Sequence, residues 1–401
     1  LSALTLALGT GLYLHRKLVN RAVNRIFLAL GLEVSLVYDA AIEGVSAAGR
    51  FQNRLLQSGS LHRYFAIVVA TFVLITGYSY VQGLGALPEI KPPELASREW
   101  LLLLVLLAAV LTTVITRSVL LAICALGVTG AVIAMIFLAY GAPDLALTQL
   151  LVETLTVIIV SIILLRLPGL SGSRRRSGRR CFDAALAAGT GLLVTCLALA
   201  VLSSPLDRSI TEFFEQNSYL AAHGRNIVNV ILVDFRSLDT LGEIIVVATA
   251  GLAGFALIKR QRKQIQMQSL ILSTATRMLV SIILVFSVYL LLRGHNAIGG
   301  GFASALVAGT GFALYSMVAG SATVRRAIRI DPRGLIVAGL VLALAAGLIG
   351  LGASSPFLTG IWWTLDLFNA PEVALGSPLL FDIGVFSIVM GTVLTLILSL
   401  E

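Results

Sequence analysis

Charged side chains are scarce in this chain of 401 residues, since Asp, Glu, Lys and Arg together make up only 12% of it. Hydrophobic residues make up 58%, and the mean hydropathy is +0.96. A soluble globular protein carries about twice that share of charge. The composition therefore excludes an ordinary soluble enzyme and predicts an integral membrane protein.

Cysteine and histidine are also rare, with three and four copies. The cysteines, Cys124, Cys181 and Cys196, lack the spacing of a metal site, and the histidines are scattered among loops and span ends. The glycine run 299–301 lacks the strand-to-helix context of a phosphate-binding loop. We therefore expect no metal, no cofactor and no enzyme activity.

Apolar segments of about twenty residues recur along the chain, which is the length needed to cross a bilayer as a helix. They predict an all-α, polytopic transmembrane bundle of ten to eleven spans. A shorter stretch, Leu1–Leu14, is expected to be the end of a further span, and its start without Met predicts missing upstream residues. The ten predicted spans are Leu61–Gly83, Trp100–Thr116, Val119–Tyr140, Leu145–Leu167, Asp183–Leu202, Ile227–Ile258, Leu270–Leu292, Gly301–Ala319, Leu335–Leu351 and Leu379–Leu400.

Basic residues cluster in alternate loops, which predicts that these loops share the cytoplasmic side and that Glu401 is also cytoplasmic. This pattern explains the net charge of +9 by membrane topology and anionic lipid head groups, not by nucleic acid. The three basic clusters are Arg174, Arg175, Arg176, Arg179 and Arg180; Lys259, Arg260, Arg262 and Lys263; and Arg325, Arg326, Arg329 and Arg333.

Hydrophilic breaks predict four modules, at residues 1–98, 99–181, 182–264 and 265–401. The first contains an amphipathic helix over roughly Glu33–Gln57, with a polar stripe on one side and small or apolar residues on the other. Such a helix either lies along the membrane surface or packs against cytoplasmic loops. The Pro-containing loop Leu87–Leu95 closes this module.

The second module contains an acid deep inside a span. Pro143 suits a helix start, and Asp144 there complements the positive end of the helix dipole. Glu153 falls about 13 Å further along the helix, with Gln149 and Thr156 on the same stripe. A carboxylate at that depth is costly, so we expect it to relay a proton or cation, the alternative being a protonated structural Glu.

The third module has three acids and a base near the outer end of a span. In helical geometry, Arg236, Asp239 and Glu243 share one stripe, so Arg236 neutralises one carboxylate and leaves another for ion exchange. We expect Glu243, the deepest, to take part in transport. The alternative is a helix start with a structural ion pair, and Asp234 fits that reading.

The fourth module carries three further candidates. Arg277 lies well inside a span, where a cation needs a partner or a water path. His295 sits in a glycine-rich turn, where it can exchange protons or simply stabilise the turn. Asp382, after Pro378, is expected to be a helix-start residue more than a relay.

These runs resemble a known family. The segments Ala142–Thr156 and Val233–Glu243 resemble signatures in the C-terminal part of the large subunit of Mrp-type multisubunit cation/proton antiporters. Arg293–Phe302 and Pro378–Gly384 resemble the family's small, four-span B subunit. The same modules resemble the membrane arms of energy-converting hydrogenases and, more distantly, complex I.

The resemblance implies a hetero-oligomer with other antiporter subunits in a prokaryotic cell membrane, which exchanges cytoplasmic Na⁺ for external H⁺ without a cofactor. It assigns Glu153 as the buried acid of the second module and Asp234, Asp239 and Glu243 as acids lining a cation path. The family's large subunit normally begins with a lysine-centred pumping bundle, and we expect this sequence to contain only the trailing helix and the surface helix of that bundle. Two alternatives stay open: the membrane arm of a redox-driven complex, and a structural scaffold whose charges join subunits.

Overall fold

The computed structural model describes residues 2–29, 34–57, 59–84, 96–166, 177–203, 207–257, 270–365 and 373–400. This part of the chain is helical apart from turns and one short hairpin, which confirms the all-α class. The helices are α1 (Ser2–Leu14), α2 (Arg16–Ala29), α3 (Val34–Leu56), α4 (Leu61–Leu84), α5 (Ser97–Ile115), α6 (Val119–Ala139), α7 (Pro143–Arg166), α8 (Ser177–Ser203), α9 (Ser209–Leu220), α10 (Ile227–Val230), α11 (Ser237–Leu257), α12 (Leu270–Arg293), α13 (Gly301–Ala319), α14 (Ser321–Ile328), α15 (Pro332–Gly352) and α16 (Ser377–Leu400).

Ten helices among the described residues are long and apolar enough to cross a membrane, and they coincide with the predicted spans except at one place. The predicted span Ile227–Ile258 is wrong at its start, because the span is Ser237–Leu257. Asn226 caps α10, a π-turn follows at Ile231–Phe235, and Arg236 leaves helical geometry with φ −129°. These breaks divide the apolar run into two segments that sequence hydropathy cannot separate.

One compact unit comprises residues 1–91 and 174–205, which include α1–α4 and α8. Within it, α4 and α8 pack together, and His62 Nε2 lies 3.1 Å from Asp183 Oδ1. The predicted amphipathic helix is present as α3, although Glu33 lies outside the described residues. Helix α2 is also amphipathic, which the sequence analysis did not predict.

The second unit comprises residues 92–173 and 206–401. Its centre is α16, which packs against α11, α13 and α15. Phe381, Ile388 and Leu394 of α16 are buried almost completely. A Cβ atom on Gly384 would lie 2.8 Å from the Gly339 carbonyl oxygen, so glycine at this position allows α15 and α16 to pack closely.

Several predicted loops contain structure of their own. The loop 203–226 contains α9, and the loop 352–378 contains an antiparallel hairpin of β1 (Trp362–Leu365) and β2 (Val373–Gly376), with Trp362 opposite Gly376. The loop Leu87–Leu95 and the basic residues Arg174–Arg176 and 259–263 lie outside the described residues. The four modules stay predictions.

Candidate functional site

Several helices of the second unit surround one cavity of about 230 Å³. The starts of α7 and α13 meet there beside the second and third turns of α16, and α10, the π-turn and the first turns of α11 complete the wall. Asp144, Glu243 and Asp382 all line this cavity, together with Asn229 and Thr240. Carboxylates that are far apart in the sequence are therefore gathered around one space.

Asp382 is the most buried of these acids, with 5% of its surface exposed. The expectation that it begins its own helix is wrong, because α16 begins at Ser377, more than a turn earlier. Its Oδ1 accepts a 2.7 Å hydrogen bond from the N–H of Gly301, and the Asn229 side chain also donates to it. Asp382 thus caps α13, where the positive end of the helix dipole favours a carboxylate.

The glycine turn before α13 makes this approach possible. Gly300 has φ +99°, a conformation that favours glycine. A Cβ atom on Gly301 would overlap the backbone oxygen of Asp382 and lie 2.6 Å from its carboxylate. The turn and α16 can therefore touch only because these positions lack side chains.

Asp144 lies in the first turn of α7, as predicted. Its hydrogen-bond partners, however, belong to other segments: Oδ1 accepts from the N–H of Gly299 at 3.2 Å and from Asn226 Nδ2 at 3.4 Å. Asn226 Nδ2 also lies 3.0 Å from the Gly294 carbonyl oxygen. Asp144 therefore connects the second predicted module to the third and fourth.

The predicted stripe of the third module, Arg236, Asp239 and Glu243, follows directly after the π-turn. Arg236 forms an ion pair with Asp239, and both side chains are more than half exposed, so this pair contributes little stability. Thr240 is buried and donates a 2.7 Å hydrogen bond to the Leu232 carbonyl. Glu243 lines the cavity and, within the described residues, has neither an ion pair nor a hydrogen bond to its carboxylate.

Asp234 belongs to a different cluster from Glu243, because it lies in the π-turn. Its Oδ1 accepts a 3.0 Å hydrogen bond from the N–H of Gly360, in the loop before β1. Burial raises the pKa of Asp234 above 3.8, while the Gly360 hydrogen bond and the field of His295 oppose this rise. The result is an acid that ionises less readily than an exposed aspartate.

His295 lies beside Asp234 in the turn between α12 and α13. Its Nε2 is 2.6 Å from the Ala222 carbonyl oxygen, and its ring centroid is 4.8 Å from that of Trp362. The ring centroid of His223 lies 5.2 Å from that of Trp362. Burial lowers the pKa of His295 below 6.5, although the hydrogen bond to Ala222 and the charge of Asp234 oppose this shift.

Acid should destabilise the wild-type protein more than a His295→Gln variant. The folded protein keeps His295 neutral at pH values where the unfolded chain takes up a proton, near the ordinary pKa of about 6.5. The free energy of unfolding of the wild type therefore falls as pH decreases through that value. Thermal-unfolding midpoints between about pH 7.5 and about pH 5.5 test this, and an equal fall in both proteins contradicts it.

Glu153 is separate from the cavity and lies between α7 and α6. Its Oε1 is buried without a hydrogen-bond partner in the described part of the chain. A Cβ atom on Gly130 of α6 would overlap the Glu153 carboxyl group, so the acid occupies the space that this glycine leaves. A buried oxygen in this state needs a proton, a cation or water.

The two predicted companions of Glu153 differ in their placement. Gln149 is half-buried, but Thr156 is exposed, and its hydroxyl donates a 2.8 Å hydrogen bond to the Val152 carbonyl of its own helix. Thr156 lies on the predicted stripe of Glu153, but its hydroxyl bonds to its own helix. Helix geometry places Glu153 and Thr156 on one side of α7, but α6 packs against Glu153, at Gly130, while Thr156 stays exposed.

Arg277 lies in the second turn of α12 with an exposed side chain. No carboxylate in the described ranges pairs with it, and its backbone carbonyl accepts a hydrogen bond from Ser281. Asn226, Asn229 and Gly360 also belong to these clusters, although sequence patterns did not predict them. The pair Asn226 and Asn229, three residues apart at a helix start, was the available signal for two of them.

Three parts of the chain match known families. Residues 271–395 match a domain related to the MnhB subunit of Na⁺/H⁺ antiporter. Residues 178–277 match the family model of the E subunit of MBH, and residues 104–169 match that of the D subunit of MBH.

Similar proteins of known name are also antiporter subunits. A probable K⁺/H⁺ antiporter A/B subunit from Rhizobium meliloti (strain 1021) is 33% identical over 311 residues, which are 69% of this chain and 31% of the relative. The A subunit of a Na⁺/H⁺ antiporter from Alkalihalophilus pseudofirmus is 34% identical over 226 residues, 55% of this chain and 28% of the relative. The chain thus spans about a third of the length of these relatives.

A solved structure is similar along the whole chain. One chain in the structure of the Mrp complex from Dietzia sp. DQ12-45-1b is 31% identical, with a TM-score of 0.77. The match covers 100% of the present chain and 45% of the Dietzia chain. The fold described above is therefore shared with a chain of that complex.

Proposed function

We propose that this chain is a membrane component of a multisubunit cation/proton antiporter. It belongs to the A/B region of the Mrp-type antiporters. It provides part of the ion path and connects neighbouring pumping modules. The observation that carries this proposal is the cavity in which Asp144, Glu243 and Asp382 meet.

Competition between a cation and a proton for one carboxylate couples their movements. Asp382 accepts hydrogen bonds from Gly301 and Asn229, and Asp144 accepts one from Gly299, so both carboxylates are already held by the protein. Glu243 is free of such bonds within the described residues. We therefore assign Glu243 as the exchanging acid and the other two as fixed negative charges that attract the cation.

The path continues from this cavity in two directions. On one side lie Asp234 and His295, outside the membrane-spanning helices, where they can exchange protons with solvent. On the other side, Glu153 lies about 13 Å further along α7 than Asp144. Its buried, unpartnered oxygen makes it the next acid for an ion that has entered the bilayer.

Alkali cations are the transported species in this proposal, with cytoplasmic Na⁺ exchanged for external H⁺. Carboxylate, amide and hydroxyl oxygens line the cavity, and these are the ligands that hard cations prefer. The relatives are named for Na⁺ or K⁺, so an assay should include both ions. The partners are other antiporter subunits in a prokaryotic cell membrane, with the C-terminus in the cytoplasm.

A Glu153→Gln variant of the complex should lose cation-driven proton exchange in reconstituted vesicles, by roughly a hundredfold, because an amide neither releases a proton nor neutralises a cation. Thr156→Val is a matched control in the same helix and should keep wild-type exchange, since Thr156 is exposed and bonded to its own helix. Size-exclusion chromatography reports assembly. Normal exchange by Glu153→Gln refutes this assignment, and loss of assembly supports the scaffold alternative.

A second candidate is the membrane arm of a redox-driven complex. It is favoured by the matches to the D and E subunits of MBH, over residues 104–169 and 178–277. The ion path is the same in this case, but the energy comes from electron transfer in other subunits. Metal and flavin analysis of the purified complex separates the two candidates, because the antiporter proposal requires neither.

A further inference from the structure

We propose that this chain binds the phosphate group of an anionic phospholipid in a cavity at the ends of α11, α14 and α16. This cavity has a volume of about 520 Å³. On α16, Asp382 lines the ion cavity and Leu398 lines the second cavity, and their spacing of sixteen residues corresponds to about 24 Å along the helix. The second cavity therefore lies at the opposite membrane surface from the ion cavity, at the depth of lipid head groups.

The charges of this cavity do not balance. Arg325, Arg329 and Arg333 line it together with one acid, Asp331. Arg333 is the hydrogen-bonded partner of that acid, with Nη2 at 2.8 Å from Asp331 Oδ2 and Nε at 3.2 Å from Oδ1. In the part of the chain that the structure describes, no carboxylate pairs with Arg325 or Arg329, so two positive charges at this surface are available to attract an anion.

The two unbalanced arginines are held close together. Arg325 and Arg329 are four residues apart, and the N–H of Arg329 donates to the Arg325 carbonyl at 3.3 Å, where α14 ends. Arg325 Nη2 also donates to the Leu398 carbonyl at the end of α16, at 3.1 Å. This bond anchors one guanidinium while its other N–H groups stay available, an arrangement suited to phosphate oxygens.

The remaining wall is mostly apolar, with Thr395 and Ser399 as its polar members, and its apolar part favours a lipid over a soluble phosphate. Phe255, Ile330 and Leu398 line the same cavity. The Arg333 guanidinium lies 4.9 Å from the Phe255 ring centroid, and Ile330 is 57% exposed. A phospholipid places a charged phosphate beside apolar chains and so fits both halves of this wall, whereas inorganic phosphate fits only the arginines.

Lipid retention tests the proposal. The complex containing this chain is reconstituted in phosphatidylcholine vesicles with phosphatidylglycerol, extracted in detergent, and its bound phosphatidylglycerol is measured by mass spectrometry. Arg329→Gln should reduce retention roughly fivefold to tenfold. Arg326→Gln is the matched control, because Arg326 bonds to the Ala322 carbonyl and does not line the cavity, and it should retain lipid like the wild type.

A competition with inorganic phosphate and a second variant distinguish the possible outcomes. Excess inorganic phosphate during extraction should leave the lipid bound; if it displaces the lipid, the site serves a soluble anion and the lipid proposal fails. Equal loss in both variants, or no retention by the wild type, also overturns it. If Arg329→Gln fails to assemble, Arg329→Lys replaces it, because lysine keeps the positive charge but lacks the planar guanidinium group. We expect Arg329→Lys to retain an intermediate amount of lipid. Wild-type retention by Arg329→Lys would contradict bidentate binding of the phosphate by the guanidinium group.

Discussion

Replacement of Glu243 by Gln should reduce cation-driven proton exchange roughly a hundredfold or more, while the complex still assembles. Glu243 lines the cavity but donates to and accepts from no other described side chain, so its replacement removes no structural bond. The amide has nearly the same shape as the carboxylate and lacks only its charge and its proton exchange. The measurement is pH-sensitive dye quenching in vesicles after addition of Na⁺ or K⁺.

Glu215→Gln provides the control for the Glu243 variant. Glu215 lies on α9 with an exposed side chain, and it does not line the ion cavity. The same chemical change there should leave exchange intact. A further variant, Glu243→Asp, keeps the titrating group on a shorter side chain and should retain part of the activity. Full exchange by Glu243→Gln would contradict the assignment of this residue.

Gly301→Ala should have the largest effect on stability. The added Cβ atom would overlap the Asp382 backbone oxygen, and a backbone atom cannot move aside as a flexible side chain can. Overpacking of this kind costs about 1–3 kcal/mol, and here it also disturbs the hydrogen bond from Gly301 to Asp382. We expect a lower thermal-unfolding midpoint of the purified complex together with reduced exchange.

Gly242→Ala is the matched control for Gly301→Ala. Gly242 lies in α11, and a Cβ atom there would have no neighbour within 4 Å. Alanine inside a helix is favoured over glycine by about 0.5–1 kcal/mol, so this variant should be as stable as the wild type or more so. If Gly301→Ala unfolds at the wild-type temperature, the close packing of α13 on α16 is not essential.

The sequence predicts the spans well because hydropathy depends on local composition alone. Glu153 is also predictable, since its depth in a span follows from counting residues after Pro143. The pairing of Arg236 with Asp239 follows from their spacing of three residues. Each of these predictions depends on one helix and on no other part of the chain.

The rest of the site depends on contacts between helices, and the hydrophobic periodicity of the sequence carries no information about such contacts. Asp382 appears in the sequence as a helix start, yet it is bonded to Gly301, 81 residues earlier. Asp144 appears in the sequence as a cap of its own helix, yet its carboxylate accepts a hydrogen bond from the N–H of Gly299. The π-turn at Ile231–Phe235 hides within an apolar run, so the sequence groups Asp234 with Glu243 although it faces Gly360.

Proton release on cation binding is the direct test of Glu243, because the proposed exchange requires a cation and a proton to compete for its carboxylate. Purified complex in weakly buffered solution is mixed with NaCl, with choline chloride as the control salt, and the pH is recorded. The wild type should release protons on addition of Na⁺, and Glu243→Gln should release markedly fewer. Equal proton release by both proteins would contradict competition between the cation and the proton at Glu243.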